Sequence, residues 1–150
     1  MSNEDIAYDP HTYKHLTFHD AVPAFLDGSD TPRAYLERCL DTIDAREPVV
    51  KAWASMRVEG ARQDADAATK RYKEGRPLSN VDGMPIGVKD LIATKDLPTN
   101  MGIAGYENYP KIDSASMQAV RAAGGIILGK VTTTPMGMGD PSVTTNPFDR

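Results

Sequence analysis

Two short apolar runs, Pro85–Lys89 and Ile126–Lys130, separated by one amphipathic segment, constrain the architecture of this chain more than any other feature. Ile86 and Val88 in the first run and Ile126-Ile127-Leu128 in the second are β-prone, and glycine or proline bounds each run. Between them Asp113 or Ser114 offers an N-cap, Met117 and Val120 fall on one helical face, and Gly124-Gly125 supplies a C-terminal stop. A strand that reaches its neighbour through a helix runs parallel to it, because a crossover of this length carries the chain back to the same end of the sheet. The expectation is an α/β fold in which a helical N-terminal region precedes a βαβ unit of a mixed sheet flanked by helices.

The upstream half reads as helical. Thr17 with Asp20 forms a capping-box variant ahead of a helix from Phe18, with Val22, Phe25 and Leu26 on its apolar face and Asp27-Gly28 at its end. Thr31-Pro32 supplies an N-cap and a first-turn proline for a second helix, along which Tyr35, Leu36, Cys39, Leu40 and Ile43 recur until Pro48 stops it. Val49–Met56, with Trp53, reads as a strand. A third helix is expected over 57–74, where Ala61, Ala65, Ala68 and Tyr72 make a narrow stripe, and Gly75 ends it. Residues 1–15 read as a polar lead-in and 16–150 as part of one domain.

Charge and composition exclude several function classes. The net charge is -4, with Lys and Arg scattered among acids, so no track for nucleic acid is expected. No apolar run approaches the ~20 residues of a membrane span, and Met1-Ser2-Asn3-Glu4-Asp5 lacks the pattern of a signal peptide. The single cysteine, Cys39, forms no internal disulfide and lies on an apolar stripe, which suits packing in a reducing compartment; a cytoplasmic location is expected. His11, His15 and His19 recur at every fourth position, but a helix starting at Phe18 leaves the first two outside it. No cysteine or carboxylate cluster completes a metal set there, so neither a metal nor a cofactor is expected.

Chemistry concentrates at Gly83–Asp90. Lys89 ends the first apolar run, next to Asp90 and ahead of a loop containing Pro98, Gly102, Gly105 and Pro110. A lysine there is either a surface charge or a chemical tool. Gly83 and Gly87 remove side chains beside the run, as expected where another backbone or a ligand comes close. An ammonium dried at the rim of a buried strand gives up its proton more readily, which makes a general base available near neutral pH. Gly124–Lys130 matches the spacing of a phosphate loop, but position 131 is Val, and a helix precedes the run where one should follow. Lys130 therefore reads as part of a strand. The loops leaving Lys89 and Lys130 depart from the carboxyl ends of parallel strands and should face one crevice. In it Met136 and Met138 either line an acyl pocket or fill gaps in the core.

The runs G-M-P-I-G-V-K-D-L-I (83–92), L-P-T-N-M-G (97–102), D-S-A-S-M-Q-A-V-R-A-A-G-G-I-I-L-G-K-V-T-T-T (113–134) and T-N-P-F-D (145–149) resemble the amidase signature family of serine amidohydrolases. The resemblance is continuous from about Leu78 to Arg150 and looser from Leu16 onward. It implies the N-terminal part of the amidase signature fold, with Lys89 as the base of a Ser-cisSer-Lys triad and Lys130 as a structural residue. The substrate implied is a small-molecule amide, with Met136, Met138 and Met101 against it, and no cofactor is implied. Where many relatives read T-T-A-G-S, this chain has Thr99-Asn100-Met101-Gly102-Ile103, a departure that bears on the pocket. The family's Gly/Ser run and its nucleophilic serine follow the N-P-F-D position. The chain is therefore expected to be an N-terminal piece, inactive alone, with the remainder of the amidase chain supplying both serines. In its T-T-T, D-P and T-N-P combination it looks most like small-amide hydrolases such as malonamidase. The alternatives are an amidotransferase A-type subunit hydrolysing glutamine and a non-catalytic truncated binding module. A homodimer of the complete enzyme is compatible with the resemblance, and neither nucleic acid nor membrane is implied.

Overall fold

The computed structural model describes residues 17–139 and 141–146. In chain order these form α1 (Phe18–Asp27), α2 (Pro32–Val50), β1 (Trp53–Met56), α3 (Val58–Lys73), β2 (Pro85–Lys89), α4 (Ala115–Ala122) and β3 (Ile126–Val131), then a 3-10 turn at Pro135–Gly137. The helix starts are set locally. Thr17 N–H donates to Asp20 Oδ2 at 3.1 Å while Asp20 N–H donates to Thr17 Oγ1 at 3.3 Å, a reciprocal capping box. Thr31 Oγ1 accepts from Ala34 N–H at 3.1 Å ahead of Pro32, and Ser114 rather than Asp113 caps α4.

The boundary between α2 and β1 departs from expectation. The helix runs through Pro48 to Val50, so β1 begins at Trp53 and not at Val49. Pro48 removes one N–H in a turn that is already ending, and Glu47 organises the exit instead. The Glu47 carbonyl accepts from Lys51 N–H at 3.0 Å, and its carboxylate accepts from Ala52 and Trp53 N–H at 3.0 and 2.8 Å. Lys51 takes a left-handed conformation, φ 54°, to make that turn.

The three strands lie in the order β1-β3-β2. β2 runs parallel to β3, from Pro85 beside Ile126 to Lys89 beside Val131, with α4 as the crossover; β1 runs antiparallel on the other edge. The parallel pairing and the mixed sheet are those expected. Ile126 and Leu128 pack with Leu36, Leu40, Ala61 and Ala65 of α2 and α3, whereas Ile127 packs with Val88, Leu97 and Met117. Successive residues of β3 thus feed cores on opposite faces, as a central strand covered on both sides requires. The alanine stripe of α3 lies fully buried in this arrangement, and Tyr72 closes it against Phe18 and Phe25 of α1.

Gly87 and Gly129 stand opposite each other in the parallel pair. A Cβ on Gly129 would lie 2.8 Å from Trp53 Cε3 and 2.5 Å from the Ser55 carbonyl oxygen, and one on Gly87 would lie 3.2 Å from Trp53 Cη2. The pair forms a slot for an indole ring. Gly83, at φ 86°, faces the Pro32 ring, and a Cβ there would lie 2.7 Å from Pro32 Cβ. Gly83 and Gly87 thus accommodate the chain's own side chains, not the backbone or ligand expected of them, whereas Gly129 also meets the Ser55 backbone.

Candidate active site

At the carboxyl end of β2 the side chains alternate, and Val88 is buried while Lys89 is exposed. Leu91 and Ile92 N–H both donate to the Lys89 carbonyl, at 2.7 and 2.9 Å, so the chain turns sharply as soon as the strand ends. Asp90 N–H donates to the Val131 carbonyl at 3.0 Å and holds this end of the parallel pair together.

The loops beyond the two parallel strands then meet. Met101 N–H donates to the Asp90 carbonyl at 3.0 Å, and Met136 N–H donates to the Met101 carbonyl at 2.8 Å. Gly102 lets them approach, since a Cβ there would lie 2.6 Å from the Thr133 carbonyl oxygen. The 3-10 turn brings Gly137 over the strand end, where its Cβ position is 3.6 Å from Lys89 Nζ. Lys89, Met101 and Met136 are thus gathered at one end of the sheet, as the parallel-strand rule predicts. Met101 and Met136 hold left-handed backbones, φ 57° and 53°. Such conformations cost non-glycine residues on the order of 1–2 kcal/mol and persist only where surrounding contacts enforce them. Met136 is 57% and Met138 70% exposed, so neither fills a gap in the core.

Directly behind this surface lies a charged knot. Lys130 is wholly buried on β3, and its Nζ donates to the Ile92 carbonyl at 2.6 Å and to Thr99 Oγ1 at 2.8 Å. Asp90 Oδ1 lies 3.5 Å away, and the Asp90 carboxylate also accepts from Asn100 N–H at 3.2 Å. Burial pushes the Lys130 amine below its ordinary value, and the Asp90 carboxylate opposes that shift. Sequence reasoning identified Lys130 as structural but missed its partners. A signal for them existed: a lysine inside I-I-L-G-K-V calls for a buried acid, and parallel pairing puts Asp90 within reach.

Among the described residues, two crevices lie away from Lys89. One of about 280 Å³ lies among Phe25, Thr31, Pro32, Thr69 and Tyr72; a second of about 150 Å³ is bordered by Arg71, Leu78, Arg121 and Gly125. His11 and His15 lie outside the described residues, among which no group of three or more His, Cys, Asp and Glu is placed to hold a metal ion. No helix among the described residues is long and apolar enough to cross a membrane. Burial pushes the Cys39 thiol up, which favours the unreactive protonated form.

A family model described as Amidase matches residues 34–149, which include both parallel strands and the loops around Lys89. The chain belongs to the amidase signature family. Among amidase relatives, the A-type subunit of glutamyl-tRNA(Gln) amidotransferase from Chloroflexus aurantiacus is 34% identical over 144 residues, covering 90% of this chain and 29% of that protein. A crystal structure of an amidase superposes with a TM-score of 0.73 at 28% identity, over 83% of this chain and 28% of the other. A component of a vestigial protein complex related to an s-triazine catabolic enzyme superposes with a TM-score of 0.74 at 26% identity, over 80% of this chain and 27% of the other. The chain therefore spans less than a third of the length of these amidase signature proteins.

Proposed function

We propose that Lys89 is the general base of an amide-bond hydrolase assembled from this chain and the remainder of an amidase signature domain. The observation that carries the reading is the position of Lys89 at the carboxyl end of β2, with the loops after both parallel strands folded beside it. In the reaction the neutral Lys89 amine accepts a proton from a bridging cis-serine, which accepts one from the nucleophilic serine. The serine oxygen then attacks the amide carbonyl, the proton held on Lys89 returns through the cis-serine to the leaving nitrogen as the C–N bond breaks, ammonia or an amine leaves, and water hydrolyses the resulting ester. Both serines come from the remainder of the domain. Ser79 Oγ donates to the Ala123 carbonyl at 2.7 Å and Ser114 caps α4, so these two serve a turn and a helix start. Lys89 is exposed among the described residues, and the same remainder would close over it and exclude water. Met101, Met136 and Met138 offer the apolar contacts for the acyl part of the substrate.

The direct test is Lys89→Ala in the protein carrying the complete domain. Amide hydrolysis at neutral pH is expected to fall by at least 10²–10⁴-fold, the contribution typical of a positioned base, with the melting temperature unchanged. Near-normal ammonia release would remove Lys89 from the mechanism.

A second reading is supported by the names of the relatives, which include the A-type glutamyl-tRNA(Gln) amidotransferase chains of several bacteria at 34–36% identity. In it the same lysine serves glutamine hydrolysis within a complex that passes ammonia on. Glutaminase activity that appears only with co-purified partner chains supports this reading; hydrolysis of small carboxamides by the protein alone supports the first.

A further inference from the structure

We propose that Lys130 is the positioning residue for Lys89: its buried ammonium ties the turn after β2 to the loop at Thr99 and so fixes the direction in which the Lys89 side chain leaves the strand. This rests on the reading of Lys89 as the base. The ammonium has three N–H donors, and three acceptors surround it: the Ile92 carbonyl, Thr99 Oγ1 and Asp90 Oδ1. Two of the three belong to the turn that immediately follows Lys89, and the third opens the loop that reaches Met101. The Lys89 carbonyl is held in the same turn by Leu91 and Ile92 N–H, and the Asp90 backbone bridges Val131 on one side to Met101 on the other. The backbone downstream of Lys89 is thereby fixed from β3 and from the 99–101 loop at once.

Volume alone does not require a lysine here. A methionine would cover the same apolar path without burying a charge, and a buried ion pair stabilises a fold little compared with well-packed apolar side chains. What an ammonium adds is direction, because its hydrogen bonds set the relative position of three backbone segments. One of those segments is the turn that begins at the Lys89 carbonyl.

Lys130→Met alone would leave Asp90 buried without a counter-charge, so the informative variant is the double replacement Lys130→Met with Asp90→Asn. In the complete enzyme the double variant is expected to fold and to keep KM within about twofold. Its kcat is expected to drop by about 10–100-fold, as a small misplacement of a reacting group does. A folded double variant with wild-type kcat overturns the proposal. So does a double variant that no longer folds, because the knot would then be a requirement of packing. The two readings fail separately: if Lys89→Ala retains turnover, the base assignment falls and takes this proposal with it. If Lys89→Ala is inactive and the double variant is normal, only the positioning role falls.

Discussion

Asp82 is fully buried, and both oxygens of its carboxylate accept hydrogen bonds. Arg71 grips it in a bidentate fork at 2.8 and 2.5 Å, and Leu78 N–H donates to it at 2.9 Å. The carboxylate thereby joins the end of α3 to the turn that launches β2. Removing one partner of a buried pair leaves the other with an unmet charge, and the usual cost is about 3–5 kcal/mol. Arg71 keeps 27% of its side-chain surface in water, which places Asp82→Ala at the lower end, about 3 kcal/mol. Urea unfolding of the 150-residue chain measures this, and a loss below about 1 kcal/mol would mean that Arg71 rehydrates freely. At this scale the sequence was partly legible. Lys89 and its strand end could be read from G-V-K-D and the parallel-strand rule, and so could the convergence of the two loops. The left-handed backbones of Met101 and Met136 could not, because methionine gives no local signal for φ > 0 and the contacts that impose it come from separate loops.

Between elements, Glu37 of α2 clamps α3. Its carboxylate accepts from Arg62 Nε and Nη2 at 2.9 and 3.0 Å, and from Arg33 Nε within its own helix at 2.8 Å. The Arg62 and Arg33 guanidiniums lower the Glu37 carboxyl from 4.5 to about 2. A carboxyl depressed by folding contributes stability above its unfolded value and loses it as pH falls toward the folded one, here between 4.5 and about 2. Glu37 keeps 36% of its side-chain surface in water, so solvent screening holds the contribution to about 1 kcal/mol or less. The stability difference between the wild type and Glu37→Gln should therefore shrink as pH falls through this window. A difference that stays constant from pH 5 to about 2 would exclude the clamp as its source. Caps and periodicity made most helix limits readable in advance. The exit of α2 was not, since the Glu47 carboxylate decides it by reaching Ala52 and Trp53. Nor was the Gly87–Gly129 slot, which exists only once strand register sets two glycines opposite each other under Trp53.

For the molecule as a whole, order and exposure divide along the sheet. The cores around Leu36, Leu40, Ile126, Ile127 and Leu128 are closed on both faces of β3. Leu26 and Leu78 are exposed elsewhere, but Ile103, Tyr106, Tyr109, Ile112, Met136, Met138 and Val143 are also exposed, and these lie on the segments that leave the carboxyl ends of β2 and, after its α4 crossover, β3. Apolar side chains concentrated on connecting segments mark a surface that another body covers. The proposed function names that body as the remainder of the amidase domain, since the relatives matched are more than three times as long as the matched region. Hydrogen exchange separates this from a surface that simply faces solvent. Amides of α2, α3 and β3 should be protected in the 150-residue chain and in the complete protein alike. Amides of 103–112 and 137–139 should exchange quickly in the short chain and slow by at least about 10-fold in the complete one, because covering a loop raises the free energy of its opening. Equal exchange of these loops in both proteins would show that they remain open to water, and Lys89 would then lack the dry surroundings that its role as a base demands.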